Sequence, residues 1–104
     1  MSDCIFCKII EGILPTPIIY EDDSVIVFKD IKPKAAVHLL VVSKEHIESL
    51  AHISEDHAAL IAHMMLLLPK LAKAQGLSGF KTQINTGSAG GQEVPHLHIH
   101  LLGG

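Results

Sequence analysis

Val94-Pro-His-Leu-His-Ile-His-Leu-Leu102 alternates imidazole with aliphatic side chains for most of a strand's length. In an extended strand, alternate side chains share a face. A strand over residues 96–102 therefore lines one face with His96, His98 and His100 and the other with Leu97, Ile99 and Leu101. A helix would scatter the rings around its cylinder and expose the aliphatics. Imidazole carries out nucleophilic and proton-transfer work near neutral pH, and it ligates transition metals. A single strand histidine is ordinarily structural, and purification tags are contiguous and terminal. Three rings alternating with apolar residues fit neither description and mark a site.

Directly upstream runs Thr86-Gly-Ser-Ala-Gly-Gly91. Gly87, Gly90 and Gly91 permit positive φ and close approach of backbone N–H groups to a ligand. Asn85, Ser88 and Gln92 add donors, so the loop suits a phosphate. It is not a P-loop, because no Gly-Lys-Ser/Thr follows and no helix begins there.

The rest of the chain supplies a scaffold. Residues 4–11 form a short helix stopped by Gly12, and Pro15 and Pro17 mark an irregular link. Strands are predicted at 18–20, 25–29, 37–43 and 80–85, with a turn at 21–24 and a loop at 30–34. Ser54 caps a helix that runs to Gln75 and stops at Gly76. Leu60, Ile61, Met64, Leu67, Leu68 and Leu71 make its core face. Met65 and Leu66 widen the apolar surface, as burial on two sides requires. Pro69 should kink or break this helix, since proline in a helix interior removes a hydrogen bond at a cost of ~3 kcal/mol. The fold class is α+β: an antiparallel five-stranded sheet with one long helix and a short N-terminal helix, in a single domain over residues 1–104.

A chain of 104 residues buries enough surface for one core. Its composition is 48% hydrophobic, and that excess predicts a partner, most simply a second copy extending the sheet. Net charge is −3, and the charge pattern lacks the basic patch that drives nucleic-acid binding. No run approaches membrane-spanning length. Met1-Ser-Asp-Cys4 lacks the basic and apolar regions of a signal peptide, and two cysteines are too few for a secreted disulfide scaffold. The cytoplasm is the expected compartment.

Cys4 and Cys7 admit three readings: a redox pair, two inert thiols, or half of a tetrahedral zinc site completed by histidines. The redox reading lacks its usual strand-to-helix context. His52, His57 and His63 join no constellation and are read as solvated or helix-surface residues.

His96-Leu-His-Ile-His-Leu-Leu102 resembles the signature of the histidine triad (HIT) family, in which three histidines alternate with apolar residues. Cys4-Ile-Phe-Cys-Lys-Ile-Ile10, Phe28-Lys-Asp-Ile31, His38-Leu-Leu-Val-Val42, Lys44-Glu-His46, Asn85-Thr-Gly87 and Gly90-Gly-Gln-Glu-Val94 follow in the family's order, so the resemblance spans essentially the whole chain. It is closest to the Hint-like branch of nucleotide-binding phosphoramidases. The resemblance implies hydrolysis of purine nucleoside 5′-phosphoramidates or related adenylated amines through a covalent nucleotidyl-histidine. His98 matches the nucleophile, His100 the residue that holds the phosphate, and His38 an upstream histidine that supports the site. Asp30 matches the carboxylate that binds the ribose. Phe6, Ile9, Phe28, Ile31 and Leu40 match the apolar wall around the base. Asn85 and Gly91 match phosphate-loop contacts, with Gln92 beside them. Cys4, Cys7, His46 and His96 match the zinc ligands of the family's transferase branch, and no organic cofactor is implied.

Glu93 departs from the family pattern, standing where some Hint-like proteins have a serine that can protonate the leaving amine. A carboxylate there is read as a surface residue. Pro95 replaces an aromatic often found before the first histidine. Two other readings stay open: a dinucleoside polyphosphate hydrolase, and a non-catalytic, zinc-stabilised purine-nucleotide-binding module.

Overall fold

A computed structural model of the protein describes residues 4–104. Residues 1–3, on which the reading of the N-terminus rests, lie outside the described residues. Five antiparallel strands form one sheet: β1 (Ile18–Glu21), β2 (Val25–Lys29), β3 (Val37–Ser43), β4 (Lys81–Gln83) and β5 (His98–Gly103), in the order β1-β2-β3-β5-β4. Among the described residues two α-helices join the sheet, α1 (Ile5–Ile10) and α2 (Ala58–Ala74), with short 3₁₀ turns between elements.

Strand alternation divides the interior in two. Val25, Val27, Leu39, Val41, Ile99 and Leu101 pack with Leu97 against Met64, Leu67, Leu68, Leu71 and Ala72 of α2. On the opposite face Ile26, Phe28, Leu40 and Val42 pack against Cys4, Phe6 and Ile9 around α1. That second face also carries the strand histidines. Leu40 pairs with His100 and Val42 with His98 across the β3–β5 ladder, and paired residues share a face.

The sequence departs from the structure in four places. The triad strand begins at His98, not His96. Pro95 has no N–H to give a ladder, and the His96 N–H closes a tight turn onto the Val94 carbonyl at 2.8 Å. The predicted strand at 80–85 shortens to Lys81–Gln83. Ser54 caps a separate 3₁₀ turn (Glu55–His57), and α2 starts after it. Pro69 does not break α2, which runs through it for 17 residues. Pro69 and Met65 both lie on the exposed side, so the hydrogen bond that Pro69 cannot give is lost away from the core. Gly76 ends the helix as expected. At φ +77° it allows the Leu77 N–H to reach the Ala72 carbonyl at 3.0 Å.

Candidate active site

His98 and His100 stand side by side on β5, with ring centroids 5.0 Å apart. The Nδ1–H of His98 donates to its neighbour's carbonyl, the His96 oxygen, at 2.6 Å. This fixes the tautomer and leaves the Nε2 lone pair free. Among the described residues no buried side-chain polar atom lacks a partner, and the Nε2 atoms of His98 and His100 make no hydrogen bond, so both face the open site. Burial lowers the pKa of His98, opposed by that carbonyl and by Asp30, and so favours a neutral ring. His100 is pushed down to about 4, first by burial and then by the neighbouring His98 and His38.

His38 is almost fully buried and lies diagonally across the ladder from His100, its Nε2 2.9 Å from the His100 Nδ1. The Asp30 carboxylate reaches the same place, with Oδ2 3.4 Å from the His38 Nε2. Its Oδ1 accepts the Lys32 backbone N–H at 2.8 Å, which closes the turn after β2. Phe6, Ile9, Phe28 and Leu40 come together as a buried apolar wall on this face, and Phe6 meets the His98 ring edge-on at 5.1 Å. Ile31 does not join them: it is 87% exposed beyond the end of β2.

The glycine loop is braced from within. Asn85 Nδ2 donates to the Gly90 carbonyl at 2.8 Å. Gln92 gives its amide hydrogens to the Glu48 and Val94 carbonyls and accepts the Gly87 N–H at 2.8 Å. The donors expected of Gln92 are thus committed within the chain, which makes it a brace of the loop. Gly90 adopts no positive φ, whereas Gly87 and Gly91 do. A Cβ on Gly91 would sit 3.2 Å from Asn85 Nδ2 on a backbone at φ +87°, so both space and conformation call for glycine.

His96 is turned away from the other two rings. It is fully buried, and its Nε2–H donates to the Ser43 carbonyl at 2.6 Å. Its bare Nδ1 faces Cys4 Sγ at 3.3 Å and Cys7 Sγ at 3.6 Å. His46 Nδ1 lies 3.1 Å from Cys7 Sγ, and all four donor atoms fall within 4.8 Å of one another. Tetrahedral zinc, ~2.3 Å from sulfur and ~2.0 Å from nitrogen, would separate such donors by about 3.5 Å. A ligating histidine normally donates its other N–H to a carbonyl or carboxylate, as His96 does to Ser43. The Cys7 thiol is pushed up to about 11, first by burial and then by the neighbouring Cys4, a crowding that a bound cation would relieve. The residues fit a structural metal.

The triad predicted to share one strand face therefore divides, with two rings at the open site and one at the cysteines. Two contributors carry no residue-type signal, because they are backbone groups: the Ser43 carbonyl at His96, and the Lys34 N–H, which donates to His38 Nδ1 at 3.1 Å. His57 and His63, read as solvated, pair with Glu45 at 3.1 Å and Asp22 at 2.6 Å. Glu93 is exposed, as expected.

A family model described as "Scavenger mRNA decapping enzyme C-term binding" matches residues 3–104. Protein HitA of Neisseria gonorrhoeae is 54% identical over 104 residues, covering 99% of this chain and 97% of that protein. A HIT family hydrolase from Legionella pneumophila superposes with a TM-score of 0.95 at 43% identity, over 98% of this chain and 93% of that one. A histidine triad protein from Clostridium difficile gives a TM-score of 0.95 at 45% identity, over 100% of this chain and 92% of that one.

Proposed function

The chain belongs to the histidine triad family, and on that premise we propose that it hydrolyses purine nucleoside 5′-phosphoramidates or related adenylated amines through a covalent nucleotidyl-His98. The observation that carries the reading is the His98 ring. Its Nδ1–H is tied to a backbone carbonyl, its Nε2 is open, and it stands against an apolar wall. The base lies against Phe6, Ile9, Phe28 and Leu40, and the ribose hydroxyls reach Asp30. His98 Nε2 attacks the α-phosphorus, the phosphorus–nitrogen bond breaks, and the amine leaves with a proton from solvent. Water then attacks the nucleotidyl-imidazole, releasing the nucleoside monophosphate and restoring His98. Imidazole suits both steps, since the neutral ring is a nucleophile and the phosphorylated ring a good leaving group. His100, with His38 behind it, holds the non-bridging oxygens. The N–H groups of Gly90, Gly91 and Gln92 close the loop onto the Gly87 and Ser88 carbonyls, so the loop shapes the rim of the site and its N–H groups are spent within it.

Zinc belongs to this reading at Cys4, Cys7, His46 and His96. It would act structurally, pinning the start of α1 to the approach of β5, while His98 and His100 handle the nucleotide.

The test is single-turnover kinetics on a panel of adenosine phosphoramidates and diadenosine polyphosphates. Rapid quenching should trap one acid-labile nucleotidyl group per chain, mapped to His98. His98→Ala should still bind AMP and lose several orders of magnitude in turnover. Preference for the dinucleotides would move the substrate class. Substantial turnover by the variant, or an adduct on His38 or His100, would overturn the mechanism.

A further inference from the structure

A cleft of about 400 Å³ opens between β1 and α2, at the opposite edge of the sheet from β4. Ile19 and Tyr20 form one wall. The other is a stripe along α2, His63, Leu67, Lys70 and Ala74, whose spacing keeps them on one side of a helix. Leu67 and Leu71 are buried and make the floor. With 3.6 residues per turn, Met65 falls on the far flank of α2, and Leu66 stands on the crest between the two. The strand histidines lie on the other face of the sheet, so the cleft shares no residue with their site.

One end of the cleft is braced. Asp22 Oδ2 accepts the Tyr20 hydroxyl at 2.8 Å and the His63 Nε2–H at 2.6 Å. Its Oδ1 accepts the Ser24 and Val25 backbone N–H groups, each at 2.8 Å. The carboxylate therefore ties the turn after β1 to α2, and its acceptor capacity is used within the chain. Lys70 differs. It is exposed, and the lysine ion pair among the described residues is Lys44–Glu21, so the Lys70 ammonium has no carboxylate partner there. Among the described residues no acidic side chain lines the cleft, and the Gln75 amide adds a neutral donor.

A concave, mostly apolar surface of this volume with a few polar groups has the form of a small-ligand site. A partner strand is a poor occupant, because the register of β1 shifts between Ile18 and Tyr20, and an irregular edge resists further pairing. Charge complementarity selects the ligand. An aliphatic floor beside an unpaired ammonium fits a chain that carries one anionic head. From His63 to Ala74 the stripe runs about 16 Å, a length that suits a chain of medium size. We propose that the cleft binds a free medium-chain carboxylate, its aliphatic chain over Leu67 and Leu71 and its head on Lys70. The assignment stands or falls independently of the histidine site.

The test is titration of decanoate, kept below its micelle concentration, into isotopically labelled full-length protein, followed by methyl and amide magnetic resonance. Saturable shifts should centre on Ile19, Leu67 and Ala74 and leave His98 and Phe80 unmoved. Octanoate should bind roughly tenfold more weakly, because two fewer methylenes leave water. Decanol, which lacks the charge, should bind severalfold more weakly, the scale of a surface ion pair. Decanoate should lose at least as much on Lys70→Glu. Ala74→Trp, which fills the cleft from an exposed position, should abolish binding. Neither position is buried, so both variants should fold as the wild type does. Equal affinity for decanol and decanoate, or equal affinity of wild type and Lys70→Glu for decanoate, would overturn the assignment of an anion. Shifts spread equally over Met65 and Phe80, or seen only when phospholipid vesicles are added, would show apolar surface being coated and would overturn the site. The absence of any saturable shift would do the same.

Discussion

One ring of the triad titrates far below its ordinary range, and this has a consequence for stability. His100 is held at about 4 against an ordinary 6.5, chiefly by burial and then by His98 and His38. An unfolded chain takes up that proton as the pH drops through 6.5, whereas the folded chain refuses it until about 4. Between those values the unfolded state binds more protons, so stability is full above pH 6.5 and falls as the pH falls toward 4. Denaturation in urea at stepped pH should give a shallower decline over that window for His100→Gln than for the wild type. Parallel curves would place the titration elsewhere. The residue types of the site were legible because alternation in residues 96–102 is a period that only a strand puts to use. The division of labour among the rings was implied by the family resemblance alone, and alternation by itself put all three on one face. It depends on Pro95, which ends the ladder before His96, and on carbonyls and N–H groups that carry no residue-type signal.

At the level of elements, the site depends on how α1 is held. Six residues are too few for a stable isolated helix, and Cys4 caps this one, its Sγ accepting the Cys7 N–H at 3.4 Å. Phe6 and Ile9 of the apolar wall therefore depend on packing and on the cysteine–histidine cluster for their position. Cys4→Ser should release metal and lower the thermal midpoint by roughly 10 °C, a loss of a few kcal/mol for a domain of this size. Elemental analysis finding no zinc in protein purified without chelator would remove the metal from this account. The long helix offers a separate test. The sequence argued that Pro69 would kink or break it, but tertiary burial of Met64, Leu67, Leu68 and Leu71 carries the helix through. The missing hydrogen bond still has a cost. Pro69→Ala should stabilise the protein by up to ~3 kcal/mol, the net penalty of a mid-helix proline relative to alanine. Unchanged or reduced stability in urea would mean that the helix has already relaxed around the ring.

On the scale of the whole molecule, apolar surface remains that one chain does not bury. Burial of α2 is confined to the side that meets the sheet, leaving Met65 47% and Leu66 66% exposed. The sequence asked for burial on two sides of this helix, and a single chain supplies one. β4 is an outer strand of the sheet with all three residues exposed, next to Phe80, which is 43% exposed. An outer strand offers unpaired N–H and C=O groups, and pairing with another copy would satisfy them. Lys81 on β4 pairs with Leu102, and β5 carries the site histidines, so a sheet continued through β4 would place a second copy one strand away from His100. No helix among the described residues is long and apolar enough to cross a membrane. A second copy of the chain satisfies both demands, one through the helix and one through the edge. Light scattering at micromolar concentration should therefore give twice the mass of one chain. Leu66→Glu, which places a charge on the open face of α2 without touching the core, should shift that equilibrium toward monomer. A wild-type monomer at that concentration, or a Leu66→Glu dimer as tight as the wild type, would mean that the exposed residues of α2 serve some other contact.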